Sequence, residues 1–169
     1  MWIGMAKTAR KEIGATSNGN LQPISGESGK KSDEIKEKRL RVFIAEDSQL
    51  VREHLVDLLT LVKGVQVVGA AQTANASIRG IQSLMPDVVI LDFQLHDGNG
   101  LDVLKSIKQP DTQPLVMMLT NYAYPQYRER CMQWGANYFF DKSQDFEQIV
   151  AICQQLLSRT EVLAEMNEK

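Results

Sequence analysis

Cysteine is scarce: Cys131 and Cys153 are the two in 169 residues, and they lie 22 positions apart in segments that read as helices with apolar neighbours. Such spacing offers neither a disulfide framework nor a thiolate metal site, so both are expected as small buried hydrophobes. Histidine is equally sparse. His54 and His96 have no second ligand at metal-binding spacing, which leaves no histidine-based metal centre, and His54 is expected to be solvated. No run of about 18 apolar residues occurs, which excludes a transmembrane helix. No long apolar stretch follows the N-terminal charges, so a secretory signal is not expected and the cytoplasm is the expected compartment. A phosphate-loop signature is missing too. In Gly26-Glu-Ser-Gly-Lys-Lys31 the required first Gly falls at Ile24, the Ser/Thr position is Lys31, and no strand precedes it.

Positive charge is lacking where a nucleic-acid surface would need it. The formal net charge is -2; residues 1–40 hold eight Lys/Arg against five Asp/Glu, leaving eleven against sixteen in the remainder. The domain is therefore acidic, without a clustered basic face, and direct nucleic-acid binding is not expected. The mildly basic residues 1–39 are rich in Gly, Ser, Asn, Lys and Glu with no sustained period, which reads as a largely disordered extension, with a short helix over 32–39 as an option.

From Leu40 the pattern becomes alternating strand and helix. Leu40–Ala45 is an apolar strand, and Ser48 caps a helix with Leu50, Val51, Leu55, Leu58, Leu59 and Val62 at helical spacing, ended by Gly64. A second strand over 65–70 leads to a helix over 74–85 with Ile78, Ile81, Leu84 and Met85 on one face and Pro86 beyond. A third strand covers 88–91, followed by a Gly-bearing loop over 94–100 and a helix over 101–108. The fourth strand is 115–119, and Pro125 begins a helix running to Gln133, with Gly135 as its stop and Trp134 expected to cap the core beneath it. A fifth strand starts at Tyr138. The last helix runs from Asp145 to about Ser158 with Phe146, Ile149, Val150, Cys153, Leu156 and Leu157 inward. Five strands alternating with five helices imply an α/β fold, a doubly wound parallel sheet, because each parallel pair needs a crossover and both faces must be covered.

In such a sheet the carboxyl ends of neighbouring strands converge on one crevice. Glu46 and Asp47 follow the first strand, Asp92 the third, Thr120 the fourth and Lys142 the fifth. Taken singly, each acid reads as a strand-end or capping residue, Thr120 as a turn residue and Lys142 as a surface charge. Together they describe a pocket for a hard divalent cation and a phosphoryl group.

The ordered set closely resembles the receiver domain of two-component response regulators. Its pieces are Glu46-Asp47, Asp92-Phe-Gln-Leu-His-Asp-Gly-Asn-Gly100, Thr120, and Gly135-Ala-Asn-Tyr-Phe-Phe-Asp-Lys142, and the match covers residues 40–158. The resemblance implies the flavodoxin-like strand order 2-1-3-4-5 and a phosphoacceptor role for Asp92, with a phosphohistidine on a histidine kinase or histidine phosphotransfer protein as donor. It implies Mg²⁺ as cofactor, held by Asp47, Asp92 and the backbone carbonyl of Gln94, with Glu46 holding metal-bound water. Lys142 is implied as the cation for the phosphoryl oxygens and Thr120 as the hydroxyl that reports phosphorylation. Phe139 is implied as the aromatic that follows Thr120, coupling the site to the surface of helix four, strand five and helix five, where a protein partner would bind.

Three positions depart from the common receiver pattern: Asn121 where a small residue is usual, Ser143 where Pro is frequent, and His96 where many receivers have Pro. Gln94 and Tyr122 fall beside the site in the same alignment, where they could influence water attack. Residues 159–169 form a tail too short for a helix-turn-helix or catalytic output, so a stand-alone receiver acting through protein partners is expected. Two other readings stay open. One is a phosphatase or phosphotransferase working through an aspartyl phosphate, against which stands Gln94 at the position where haloacid-dehalogenase-type enzymes place a second Asp. The other is an interaction module that keeps the fold but does not switch.

Overall fold

The computed structural model describes residues 39–108 and 114–167, with side chains through 159. The expected disorder and the short helix before residue 39 lie outside the described residues. The order of elements is β1 (Leu40–Ala45), α1 (Gln49–Thr60), β2 (Val65–Ala71), α2 (Ala74–Leu84), β3 (Val88–Asp92), β4 (Gln94–Leu95), β5 (Gly98–Asn99), α3 (Gly100–Ile107), β6 (Leu115–Thr120), α4 (Pro125–Gln133), β7 (Tyr138–Asp141) and α5 (Phe146–Asn167). The expected loop after Asp92 contains the two-residue antiparallel ladder β4–β5. The fourth and fifth strands anticipated from sequence are thus β6 and β7.

The main sheet is parallel throughout, in the order β2-β1-β3-β6-β7. Its three central strands read as apolar runs, broken in β1 by the half-buried Arg41, because both of their faces are covered. Side chains alternate between two cores. Phe43, Ala45, Val89, Leu91, Val116, Met118 and Phe139 point to one side, packed by α2, α3 and Cys131 of α4. Val42, Ile44, Val88, Ile90, Met117, Leu119 and Phe140 point to the other, against Leu55 and Leu59 of α1 and Ile149 and Cys153 of α5. Both cysteines are fully buried and unbridged, and burial pushes each thiol up to about 11.

Local signals set most of the helix starts. Ser48 and Thr73 accept hydrogen bonds from Val51 N and Ala76 N as the N-caps of α1 and α2, and Asn99 accepts from Asp102 N as the N-cap of α3. Pro125 sits in the first turn of α4, where its missing N–H has no cost.

Four expectations need correcting. Leu50 is 78% exposed: α1 turns about 100° per residue, which sets Leu50 on the solvent side with His54 while Val51, Leu55 and Leu59 face the core. Met85 leaves the face of α2 by adopting a left-handed C-cap conformation (φ 43°), which closes the helix onto Ile81 O and turns its side chain to solvent. Trp134 does not cap the core: it ends α4 half exposed, with the Lys105 ammonium 4.5 Å from its ring centroid. The last helix continues nine residues past Ser158, to Asn167. Nothing after Arg159 stops it, since Glu161, Leu163, Ala164, Glu165 and Met166 favour helix and no Gly or Pro intervenes.

Gly80 stands inside α2, where glycine ordinarily weakens a helix. A Cβ there would come 2.7 Å from the buried Phe43 ring, so glycine lets α2 approach β1. Two effects of opposite sign follow for Gly80→Ala: a propensity gain of about 1 kcal/mol and an overpacking cost of roughly 1–3 kcal/mol. The ring is held on all sides, so overpacking wins. Urea unfolding should show net destabilisation by Gly80→Ala, relieved when Phe43→Leu is added.

Candidate functional site

The register brings the strand-end residues into one row. Ala45 pairs with Leu91, which puts Glu46 next to Asp92; Asp92 pairs with Leu119, and Thr120 with Asp141, the residue before Lys142. Glu46, Asp92, Thr120 and Lys142 are the polar side chains that this arrangement buries, together with Ser77 on α2. Glu46, Asp47 and Asp92 offer carboxylate oxygens that lie within 4.8 Å of one another.

Lys142 ties the row together. Its Nζ donates to Asp92 Oδ2 at 2.7 Å and to Glu46 Oε1 at 2.9 Å. To do so from β7 it passes the end of β6 and reaches both strands beyond. Glu46 Oε2 is also 2.9 Å from Nζ, yet no donor is aligned on it, and it remains a buried oxygen without a hydrogen bond. Backbone donors hold the carboxylates in place: Ser48 N to Glu46 Oε1 at 3.1 Å and Gln94 N to Asp92 Oδ1 at 3.2 Å. Arg52 Nη1 donates to the backbone oxygens of Glu46 (2.8 Å) and Asp47 (3.4 Å), locking the acidic loop onto α1.

One buried ammonium against two buried carboxylates leaves a net negative charge out of water. Burial pushes the Glu46 carboxyl up to about 7, against the pull of its hydrogen bond to Lys142, and the neighbouring Asp92 adds to the rise. Burial raises Asp92 as well, opposed by the same ammonium. Desolvation acts to lower Lys142, but its bonds to Asp92 and Glu46 outweigh it and raise the lysine overall. A site that is desolvated, over-negative and provided with an orphaned oxygen suits a hard divalent cation and its bound water.

The remaining candidates fall around this row. The Thr120 hydroxyl accepts from Tyr122 N at 3.0 Å, while its carbonyl takes Lys142 N at 2.9 Å. Gln94 begins β4, with its side chain exposed. Phe139 is buried in the core below, its ring centroid 5.7 Å from the Arg128 guanidinium and its carbonyl accepting from Arg128 Nη1 at 3.5 Å. Gly100 is required by closeness: a Cβ there would lie 2.1 Å from the Asp92 carbonyl oxygen.

Two neighbours escaped sequence reasoning. His96, assigned no site role for want of a spaced second ligand, holds Nδ1 3.6 Å from Asp47 Oδ2. Asp97 reaches from the same loop to the start of α2. Neither contact has a sequence signature, since both join segments more than twenty residues apart. His54 is exposed as expected, edge-on to Phe146 at 5.1 Å.

The sign of the Glu46 shift fixes a pH dependence. A carboxyl whose pKa is raised by folding favours the folded state fully below its unfolded value of 4.5, and that contribution is lost as pH climbs to about 7. At about 1.4 kcal/mol per unit, the loss is roughly 3 kcal/mol. Without divalent cations, Glu46→Gln should therefore gain stability relative to wild type between pH 5 and pH 8, read as the difference between their thermal midpoints. A constant difference would show that Glu46 is ionised throughout.

Comparison with known proteins agrees with this geometry. The family model described as response regulator receiver domain matches residues 42–154. A response regulatory protein of Vibrio cholerae serotype O1 is 33% identical over 118 residues, 70% of this chain and 48% of that protein. The sensory transduction protein LytT of Bacillus anthracis is 28% identical over 130 residues, 77% of this chain and 52% of that protein. The chain thus spans about half the length of these curated relatives. Among solved structures, the signal receiver domain of NarL from Mycobacterium tuberculosis superposes with a TM-score of 0.66 at 26% identity, covering 72% of this chain and 98% of that one. By its matched family model, its sheet order and its row of strand-end residues, the chain belongs to the response regulator receiver domain family, the phosphoacceptor modules of two-component signalling.

Proposed function

We propose that this receiver is a Mg²⁺-dependent switch phosphorylated on Asp92. The observation that carries the reading is the buried Lys142 bridge between Asp92 and Glu46. Asp92 is the carboxylate with an oxygen on Lys142, a backbone donor on the other oxygen, and a position in the middle of the row. A carboxylate needs no general base to attack phosphorus, because it is already an anion. The P–N bond of a phosphohistidine breaks as a P–O bond to Asp92 forms; the imidazole keeps the electron pair and takes a proton from solvent. The donor is a histidine kinase or a histidine phosphotransfer protein.

An anion approaching three carboxylates needs neutralising. Asp47, Asp92 and the Gln94 carbonyl would hold Mg²⁺, and Glu46 Oε2 would accept from its water; the ion would supply the positive charge that lets an anionic phosphoryl group approach Asp92. Lys142 moves its hydrogen bond from the Asp92 carboxylate to the phosphoryl group. Thr120, whose oxygen already accepts from Tyr122 N, keeps its hydroxyl proton free to donate to a phosphoryl oxygen. Its movement relaxes the packing over Phe139, which carries the change to the surface formed by α4, β7 and α5, where a downstream protein binds. The switching unit is residues 40–158, with 1–39 as an extension and 159–169 as a tail whose first residues prolong α5. Direct nucleic-acid contact and membrane insertion are not part of this reading, and a cytoplasmic location is.

The absence of an acid at Gln94, exposed beside Asp92, weighs against turnover of phosphate esters. Acetyl phosphate with Mg²⁺ should label the wild type once per chain, and neither Asp92→Asn nor chelated wild type should take label. Labelling that survives Asp92→Asn overturns the assignment, and sustained hydrolysis of varied phosphate esters would favour the phosphatase reading instead.

A further inference from the structure

The loop from Asp92 to α3 carries a ladder of two residues per strand, Gln94 with Asn99 and Leu95 with Gly98. An isolated hairpin of that size is not stable in water, so something outside it must hold it. Leu95 is buried in the core, and the tip is docked on α2. There His96 N donates to Gln72 O at 3.3 Å, and Gly98 lies so close to Ala74 that an added Cβ would come within 3.2 Å of the Ala74 methyl. The Asp97 carboxylate accepts from Ala74 N through Oδ1, and through Oδ2 from Asn75 N at 3.4 Å and Asn75 Nδ2 at 2.9 Å.

The amides that begin α2 show how complete this docking is. A helix starts with four N–H groups that have no partner within it. Ser77 N makes the first bond of the helix itself, to the Thr73 carbonyl, and Ala76 N is taken by the Thr73 hydroxyl. The two amides ahead of it, Ala74 N and Asn75 N, are taken by Asp97, more than twenty residues away on the loop that follows Asp92. The negative carboxylate also meets the positive end of the helix dipole. At the root of the same loop, Gln94 N is bonded to Asp92 Oδ1 and Gly100 N to Phe93 O. The Gln94 peptide is thus fixed between two anchors, Asp92 on one side and the Asp97 clamp on the other.

We propose that Asp97 is a positioning residue: by capping α2 from the tip of the loop it holds the Gln94 peptide beside Asp92 and so sets the affinity of the site for a divalent cation. The inference rests on the proposed Mg²⁺ site. It makes the start of α2 part of the apparatus that shapes that site, although α2 itself contributes no group to it.

The test is calorimetric titration of the full chain with Mg²⁺ for wild type, Asp97→Ala, Asp97→Asn and Asn75→Ala, with the thermal midpoint of each. Asp97→Ala should weaken Mg²⁺ binding about tenfold, the lower end of what losing the partner of a metal ligand produces. It should also speed amide exchange over residues 93–96. Asp97→Asn, which caps a helix nearly as well as Asp, should recover most of the affinity. Asn75→Ala removes one of the three bonds and leaves the helix start intact, so a smaller loss in the same direction is expected. A lower midpoint for Asp97→Ala with unchanged Mg²⁺ affinity overturns the inference alone, as does an Asn variant as weak as the Ala variant. Absence of saturable Mg²⁺ binding in the wild type overturns the proposed function and this inference with it.

Discussion

The Lys142 ammonium, held 2.7 Å from Asp92 and 2.9 Å from Glu46, is the interaction on which the rest of the site depends. Two carboxylates out of water repel each other and have lost their hydration, a cost of several kcal/mol for each. One ammonium within hydrogen-bond reach offsets much of this, since at an effective dielectric of about 20 each contact amounts to roughly 5 kcal/mol of attraction. The sum remains one negative charge in excess, or two when Asp47 is included. That deficit has two remedies: a proton on Glu46, whose carboxyl rises to about 7, or a divalent cation. The imbalance that perturbs the titration is also the one that the proposed cation would neutralise.

Such a bridge can form because of the order of the strands. Lys142 follows β7, Thr120 ends β6, and the acids end β3 and β1, so the lysine stem must cross two strand ends to reach Glu46. Parallel pairing aligns the carboxyl ends on one edge of the sheet, and burying the strands on both faces fixes their register, since a slip by one residue would exchange the two cores. The site is therefore a consequence of how the apolar residues divide between the layer under α2 and α3 and the layer under α1 and α5.

This explains which parts were legible in the sequence. Apolar runs announce parallel strands, and β1 runs over Leu40–Ala45 as anticipated. Capping residues and Pro125 announce helix starts, and α4 occupies Pro125–Gln133 as anticipated. Glu46, Asp47, Asp92, Thr120 and Lys142 stood out because they interrupt apolar patterns at strand ends. What periodicity cannot show is where a helix leaves its support, as at Met85, or whether an aromatic at a helix end finds room in the core, as at Trp134. Nor can it show contacts between distant loops. His96 approaches Asp47, and Asp97 reaches α2, only because the chain has brought strand ends together.

The departures from the common receiver pattern acquire physical content in this light. Where Pro often follows the lysine, Ser143 stands, and proline would have supplied rigidity through its ring while giving up an N–H. Here that N–H is used. Ser143 donates to Asp141 Oδ1 through both its backbone N (2.8 Å) and its hydroxyl (2.6 Å), while Asp141 N donates to Asp145 Oδ2 at 2.8 Å. The bonds from Ser143 hold the half-buried Asp141 carboxyl below its usual range, so the turn keeps its charged acceptor further into acid than a free aspartate would. Hydrogen bonds thus do the work of the ring in fixing the turn from which Lys142 extends. The position of that lysine decides whether the charge balance of the site holds, so a rigid turn at this point is a requirement, and the chain meets it by a different chemistry.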